Sequence, residues 1–310
     1  MISINQRSTV GARTWALALS LWLGCTLWAP APARSEQVAS DRLVAVSADI
    51  KLRVIEAGPA DAQAVLLIPG WCFTADIWRK QIAALSERYH VVAFDPRSQG
   101  GSSMLHHSNS PDHRAVDIAN LIKTLHLHKP VLVGWSQGVQ DVAAYALAFG
   151  TAEVAGLVLV DATVSAGAAG VDIREVRASL GRMPFYAANP REYLEAMMPY
   201  IFSQPLSPGE LGMIVGNAMR TPSSVGVANL VLDFMGKDYR PAFRRIEVPT
   251  LLVVAGTAED RHEQLQQAIP LVSSAVVEGA GHAVFYDQPV KFNELLMQFV
   301  EQRVKAKVPS

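Results

Sequence analysis

The segment PVLVGWSQG, residues 130–138, joins a short apolar run to a serine that lies between two glycines. The apolar run has the length and composition of a buried strand, and an amphipathic helix is predicted to begin at Gln137. A serine on so tight a strand-to-helix turn is lifted clear of the sheet, and the free amides of the helix point at the same position. A Gly/Ser loop could carry the same five residues, so the rest of the chain must support the interpretation of Ser136 as a nucleophile.

The composition indicates a globular protein with one large core. The chain has 310 residues, half of them hydrophobic, and 27 Lys and Arg stand against 28 Asp and Glu. A chain of this length can bury one large domain with an insertion. No basic block stands out, which argues against a nucleic-acid partner.

Residues 1–33 have the pattern of a secretory signal peptide. Two arginines precede the apolar stretch WALALSLWLGCTLW, and small residues follow, with cleavage expected after Ala33. We therefore expect a periplasmic or secreted protein without a stable membrane span. An uncleaved anchor and a lipoprotein modified at Cys25 are alternatives, although the run is shorter than the ~20 residues of a span. After cleavage Cys72 is the one cysteine left, so an intrachain disulfide is not expected.

Short apolar runs alternate with longer amphipathic segments, as in a mostly parallel α/β sheet. The runs predict eight strands, at residues 43–47, 52–57, 65–69, 91–95, 131–135, 157–161, 250–255 and 275–278. The amphipathic segments predict helices at residues 76–88, 113–125, 137–149, 263–269 and 290–304. The alternation stops over residues 164–247, which are predicted to be a helical cap inserted between core segments 34–163 and 248–310.

A serine nucleophile requires a base, and the segment VVEGAGHAVFYDQP supplies His282 in a loop between a predicted strand and the final helix. A third group must orient the imidazole. Glu259 and Asp260, after the strand at 250–255, and Asp161, at the end of the strand at 157–161, are all candidates for that acid. The backbone amides of Trp71 and Gln137 are the expected donors to the oxyanion.

These motifs together resemble the α/β-hydrolase fold family. The resemblance is carried, in chain order, by LLIPGWCFTADIW, FDPRSQGGS, LVGWSQG, LVLVDAT, PTLLVVAG and GAGHAVFYDQP, and it covers about residues 43–163 and 248–305. It implies Ser136 as nucleophile, His282 as base, and an acid after the seventh strand. Family spacing favours Glu259 there and the usual residue type favours Asp260. Some relatives take the acid from the end of the sixth strand, which keeps Asp161 open.

The resemblance implies a serine hydrolase for a small, largely apolar ester or related acyl compound, with no metal or organic cofactor. Cofactor-free haloperoxidase, perhydrolase and C–C bond hydrolase activities use the same triad and are alternatives, as is a ligand-binding relative without catalysis. The chain departs from the family in having Pro69-Gly70 where His-Gly is usual. The segment DPRSQGGS resembles a structural turn below the site, and the histidines at 106, 107 and 113 fit no compact zinc pattern.

Overall fold

The computed structural model describes residues 39–304, apart from residues 163, 171, 257 and 258 and some side chains, among them those of residues 259–262. The predicted leader, residues 1–33, lies outside the described residues. Over the part of the chain that is described, no helix combines the length and the apolarity that crossing a bilayer requires.

The centre of the fold is an eight-stranded sheet. Its strands are β1 (Ser40–Ala45), β2 (Lys51–Ala57), β3 (Ala64–Ile68), β4 (His90–Phe94), β5 (Val131–Trp135), β6 (Gly156–Val160), β7 (Thr250–Ala255) and β8 (Val272–Val277). They lie in the order β1-β2-β4-β3-β5-β6-β7-β8, antiparallel from β1 through β2 to β4 and parallel in every other pair. The prediction of a mostly parallel, eight-stranded α/β fold is confirmed.

The predicted strand bounds differ from the observed ones mainly at the two edges of the sheet. β8 begins at Val272, three residues before the predicted start, and β1 begins at Ser40. Edge strands are only partly covered, so their residues need not be apolar, and the serines at 273 and 274 hide the start of β8 from a search for apolar runs.

Helices accompany the sheet along the chain. They are α1 (Arg79–Leu85), α2 (Pro111–Thr124), α3 (Gln137–Phe149), α4 (Ile173–Leu180), α5 (Met183–Ala188), α6 (Pro190–Ile201), α7 (Pro208–Ala218), α8 (Ser223–Met235), α9 (Arg240–Phe243), α10 (Glu259–Ala268), α11 (Val284–Asp287) and α12 (Pro289–Phe299). Short 3-10 turns span Ala75–Trp78 and Ala168–Gly170, and a π-helical turn, Val300–Val304, extends α12.

The sheet is buried on both faces. In β5 the side chains of Val131 and Val133 belong to one apolar cluster with α1 and α12, whereas Leu132 belongs to another with α2 and α3. This alternation follows from the period of two in a strand and explains why β5 reads as a continuous apolar run. The parallel strands end at one edge of the sheet, and the residues that follow β5 and β6 are neighbours there.

The described part of residues 164–247, predicted to be a cap, contains α4 to α9 and one isolated bridge between Ala166 and Asp238. Helix α7 begins with a capping box in which Ser207 and Glu210 exchange hydrogen bonds with each other's backbone. Helix α8 packs against α5, and its residues reach the end of the sheet where the parallel strands finish.

Candidate active site

Ser136 occupies the turn between β5 and α3 with a strained backbone. Its φ of 56° and ψ of −118° are sparsely populated by residues that carry a Cβ, and such strain typically costs about 1–3 kcal/mol. The Ser136 N–H donates to the carbonyl of Val160 at 3.1 Å, which ties the turn to β6. The side chain is partly exposed although the residues on both sides are buried. The turn therefore presents the hydroxyl above the sheet, as the motif predicts.

The two glycines of the motif are required by close backbone approaches. A Cβ on Gly134 would lie 2.5 Å from the carbonyl oxygen of Gly138, and a Cβ on Gly138 would lie 2.6 Å from that of Ile68. Both separations are shorter than real Cβ atoms show, and backbone atoms cannot move aside cheaply. The sequence pattern is therefore a steric requirement of this turn.

His282 is held at the same end of the sheet by the residues around Ser136. The indole Nε1 of Trp135 donates to the His282 carbonyl at 2.9 Å, and the two rings lie 5.3 Å apart. The imidazole Nδ1 lies 2.7 Å from Oδ2 of Asp161. The loop before it is fixed by Gly281, whose N–H donates to the Asp287 carboxylate at 2.8 Å.

Asp161 is the carboxylate in contact with His282. It follows β6 with a positive φ of 47°, and its side chain is 2% exposed. Its Oδ1 accepts the Ala255 N–H at 3.0 Å, and its own N–H donates to Val253 at 2.9 Å. The carboxylate is thus fixed by β7 on one oxygen while the other faces the imidazole.

Of the three candidate acids, Asp161 is the one for which the structure describes a contact with the imidazole, and the preference for Glu259 or Asp260 is not supported by it. Nδ1 of His282 can donate one hydrogen, and Asp161 takes that position. Glu259 and Asp260 open helix α10, and their side chains lie outside the described part of the structure. The spacing usual in the family places the acid after β7. In this chain Asp161 follows the neighbouring strand, β6, and its positive φ directs the carboxylate towards the loop that holds His282.

The two backbone amides expected to bind an oxyanion lie beside Ser136. A Cβ on Gly70 would lie 3.0 Å from the Cβ of Ser136, which places the Pro69-Gly70-Trp71 turn against the serine. Gln137 is the next residue along the chain. Neither the Trp71 nor the Gln137 backbone N–H donates to another residue that the structure describes. The turn with Pro69 in place of the usual histidine therefore lies against the serine, and the assignment of the Trp71 and Gln137 amides to an oxyanion stays a prediction.

The segment from Asp95 to Ser102 has the structural role that its sequence predicts. Asp95 accepts the N–H groups of Ala75 and Gly101, each at 2.7 Å, and Arg97 forms a bidentate pair with Asp117 at 2.6 Å. These contacts satisfy the buried charges within the turn. Among the residues open to description, no cluster of three or more His, Cys, Asp or Glu side chains has the arrangement of a metal site.

Sequence reasoning missed a buried polar cluster behind Gln137. Arg114 donates to Asp141 at 2.7 Å and to Asp233 of α8 at 3.4 Å, while the Gln137 side chain also donates to Asp233. Burial raises the pKa of Asp233 to about 7 and that of Asp141 to about 6, against the opposing charge of Arg114. The feature of the sequence that could have revealed this cluster is the pair Asn229 and Asp233. These two polar residues lie one turn apart in the mostly apolar segment SSVGVANLVLDFM.

Comparison with known proteins agrees with this architecture. The Alpha/beta hydrolase family profile matches residues 65–295. The chain is 29% identical over 267 residues to a non-heme chloroperoxidase of Streptomyces lividans, covering 79% of this chain and 94% of that protein. It is 35% identical over 106 residues to a bifunctional esterase/perhydrolase of Acinetobacter calcoaceticus, 34% of this chain and 38% of that one.

Solved structures share the fold. The chain superposes on a structure titled as an aryl esterase from Burkholderia cenocepacia with a TM-score of 0.74 and 24% identity, over 84% of this chain and 98% of that one. The profile match spans more than half of the chain and includes both the serine turn and the histidine loop. The chain belongs to the alpha/beta hydrolase family.

Proposed function

We propose that this protein is a serine hydrolase that cleaves a small carboxylic ester through an acyl-enzyme. The observation that carries the proposal is the 2.7 Å contact between His282 Nδ1 and Asp161 Oδ2, made beside the strained turn that presents Ser136. Asp161 would hold the imidazole in the tautomer whose Nε2 is free to accept a proton. This is the arrangement that an unactivated serine requires.

In the proposed reaction His282 takes the Ser136 proton as the hydroxyl oxygen adds to the ester carbonyl. The Trp71 and Gln137 amides stabilise the oxyanion, and collapse of the tetrahedral intermediate expels the alcohol, which receives the proton from His282. Water then attacks the acyl-serine, gives its proton to His282 and releases the acid. Loss of one oxyanion donor typically costs about 10²–10³ in rate.

The aromatic side chains near the turn support the proposed substrate class. Trp71 packs against Tyr186 and Tyr193 with ring centroids 5.1 and 6.3 Å apart, and Phe73 packs against Trp135 at 4.8 Å. An apolar, aromatic environment beside the turn is compatible with a small, mainly apolar acyl compound. Rates across p-nitrophenyl esters of increasing acyl length would measure the pocket, with a maximum at a short chain expected.

A fluorophosphonate probe tests the nucleophile directly. We expect covalent labelling of the wild type at Ser136 and none of Ser136→Ala, as read by intact mass and peptide mapping. Ser108→Ala is a matched control, because Ser108 also has a positive φ, 60°, and its hydroxyl contacts His107 outside the site. An unlabelled wild type would contradict the proposal and favour a binding protein without catalysis.

Perhydrolysis is a second candidate, supported by the names of the Streptomyces and Acinetobacter relatives. Hydrogen peroxide in place of water would attack the acyl-serine and release a peracid. The test supplies an ester together with peroxide and measures how much peracid and how much acid are formed at the same acyl-enzyme turnover. The ratio of the two products separates perhydrolysis from hydrolysis.

The location of the protein stays a proposal based on its first 33 residues. If the leader is removed after Ala33, the exported protein begins at Arg34. N-terminal sequencing of the protein from a periplasmic or culture fraction tests this. An N-terminal Met1 or a lipid-modified Cys25 would support one of the alternatives instead.

A further inference from the structure

Helix α8 lies across the two residues proposed to hold the oxyanion. The carbonyl of Gly226 accepts the Trp71 indole Nε1 at 2.8 Å. Seven residues later Asp233 accepts the side-chain Nε2 of Gln137. Positions seven apart share a face of an α-helix and lie about 10 Å apart along its axis. One face of α8 therefore extends from Trp71 to Gln137.

Asn229 lies on that face between the two contacts. It is completely buried, with 0% exposure, yet neither its Nδ2 nor its Oδ1 has a hydrogen-bond partner among the described protein groups. Leaving a buried polar group unmatched typically costs about 1–3 kcal/mol. The Oε1 of Gln137, whose Nε2 is fixed by Asp233, is also buried without a partner.

The unmatched atoms define the chemistry of a complementary ligand. Asn229 offers donor hydrogens and an acceptor, and Gln137 Oε1 offers a second acceptor. Arg114, the cation at this end of α8, is already engaged by Asp141 and Asp233. A carboxylate or phosphate would meet a cation whose donors are already used by two acids, so charge does not favour an anionic ligand. A neutral group that both donates and accepts fits the set.

We propose that Asn229, together with Gln137 Oε1, binds a neutral hydroxyl or amide group on the acyl part of the substrate, close to the scissile carbonyl. Asn229 is then a specificity-determining residue that selects a hydroxyacyl or amidoacyl compound over its plain hydrocarbon analogue. This inference rests on the proposed hydrolase function, because it takes the Trp71 and Gln137 amides to mark the position of the carbonyl.

The test compares p-nitrophenyl butyrate with p-nitrophenyl 3-hydroxybutyrate. The wild type is expected to prefer the hydroxylated ester by about tenfold in kcat/KM, the factor that corresponds to about 1.4 kcal/mol. In Asn229→Leu, which is similar in size and cannot form a hydrogen bond, the ratio should fall to about one. Val231→Leu, at an exposed position of the same helix, should keep the wild-type ratio.

A binding measurement separates failure of this inference from failure of the proposed function. Ser136→Ala cannot form the acyl-enzyme, so titration calorimetry can compare the affinities of the two intact esters. Tighter binding of the hydroxylated ester by about fivefold or more, lost in the Ser136→Ala, Asn229→Leu double variant, supports the inference even if the wild type hydrolyses neither ester. Equal rates in an active wild type, or equal affinities in Ser136→Ala, overturn it.

Discussion

Ser136 and Asp161 lie at matching positions on adjacent parallel strands, one residue beyond the paired residues Trp135 of β5 and Val160 of β6. Both have a left-handed backbone, with φ of 56° and 47°. Adjacent strands are about 4.8 Å apart. Two side chains that are 25 positions apart in sequence thus leave the sheet side by side, and Asp161 contacts His282 from there.

Asp161→Asn should reduce kcat/KM for a p-nitrophenyl ester by about 10³–10⁴-fold. The amide that replaces the carboxylate has no negative charge with which to accept the imidazole N–H. It can also stabilise the wrong tautomer of His282. Glu259→Gln and Asp260→Asn, made in parallel, should stay near the wild-type rate. A large loss in either of those two variants with Asp161→Asn still active would return the role of acid to the loop after β7.

Gly138→Ala should abolish activity and lower the melting temperature. The added methyl group would lie 2.6 Å from the Ile68 carbonyl oxygen and 3.0 Å from that of Pro69, so the turn that presents Ser136 must shift. Gly212→Ala is the matched control, because it also lies within a helix, α7, and its added Cβ would meet no atom within 4 Å.

The control variant should be stabilised by about 0.5–1 kcal/mol, the usual advantage of Ala over Gly inside a helix. Differential scanning calorimetry measures both effects, and each kcal/mol corresponds to about 2–4 °C in a protein of this size. A Gly138→Ala protein with wild-type activity would contradict the steric explanation of the motif.

Asp233→Asn should change how stability depends on pH. Burial raises the pKa of Asp233 to about 7, so between about pH 4 and 7 the folded state keeps a proton that the unfolded carboxyl has lost. The contribution of Asp233 to the free energy of unfolding therefore falls as pH rises through this range, by at most about 1.4 kcal/mol per pH unit. In denaturant titrations, the free energy of unfolding of Asp233→Asn should rise relative to that of the wild type from pH 5 to pH 8.

Asp238→Asn provides the control for that measurement. A hydrogen bond from Arg240 lowers the pKa of Asp238, so its contribution is already complete at pH 5 and is lost only at lower pH. The difference in stability between Asp238→Asn and the wild type should be constant from pH 5 to pH 8. A constant difference for Asp233→Asn as well would mean that Asp233 is ionised throughout this range.

Cys72 should be unreactive in the folded protein. Its thiol is buried, burial raises its pKa to about 12, and its sulfur lies 3.6 Å from the Tyr186 hydroxyl. A thiol titration at pH 8 should therefore find no fast reaction of Cys72 in native protein, since the thiolate is the reactive form. In denaturant, the protein isolated from cells should yield one thiol if residues 1–33 have been removed, and two if they have been retained with Cys25 unmodified.

The fold and the serine turn can be predicted from the sequence, because both depend on local patterns. Burial of β5 on both faces requires a continuous apolar run, and the approach of the Gly134 and Gly138 backbones allows no side chain at either position. Helix α3 begins and ends where the sequence predicts, at Gln137 and Phe149. His282 could be selected from its loop between a strand and the final helix.

Two features could be found only from tertiary contacts: which carboxylate contacts His282, and which residues of α8 contact Trp71 and Gln137. Glu259, Asp260 and Asp161 all follow strands, so sequence distance could not rank them, whereas the β5–β6 register and a positive φ at Asp161 bring its carboxylate to the imidazole. Asn229 and Asp233 lie more than ninety residues beyond Ser136 along the chain. Their contacts depend on the packing of α8 over the sheet, and no local pattern of residues encodes that packing.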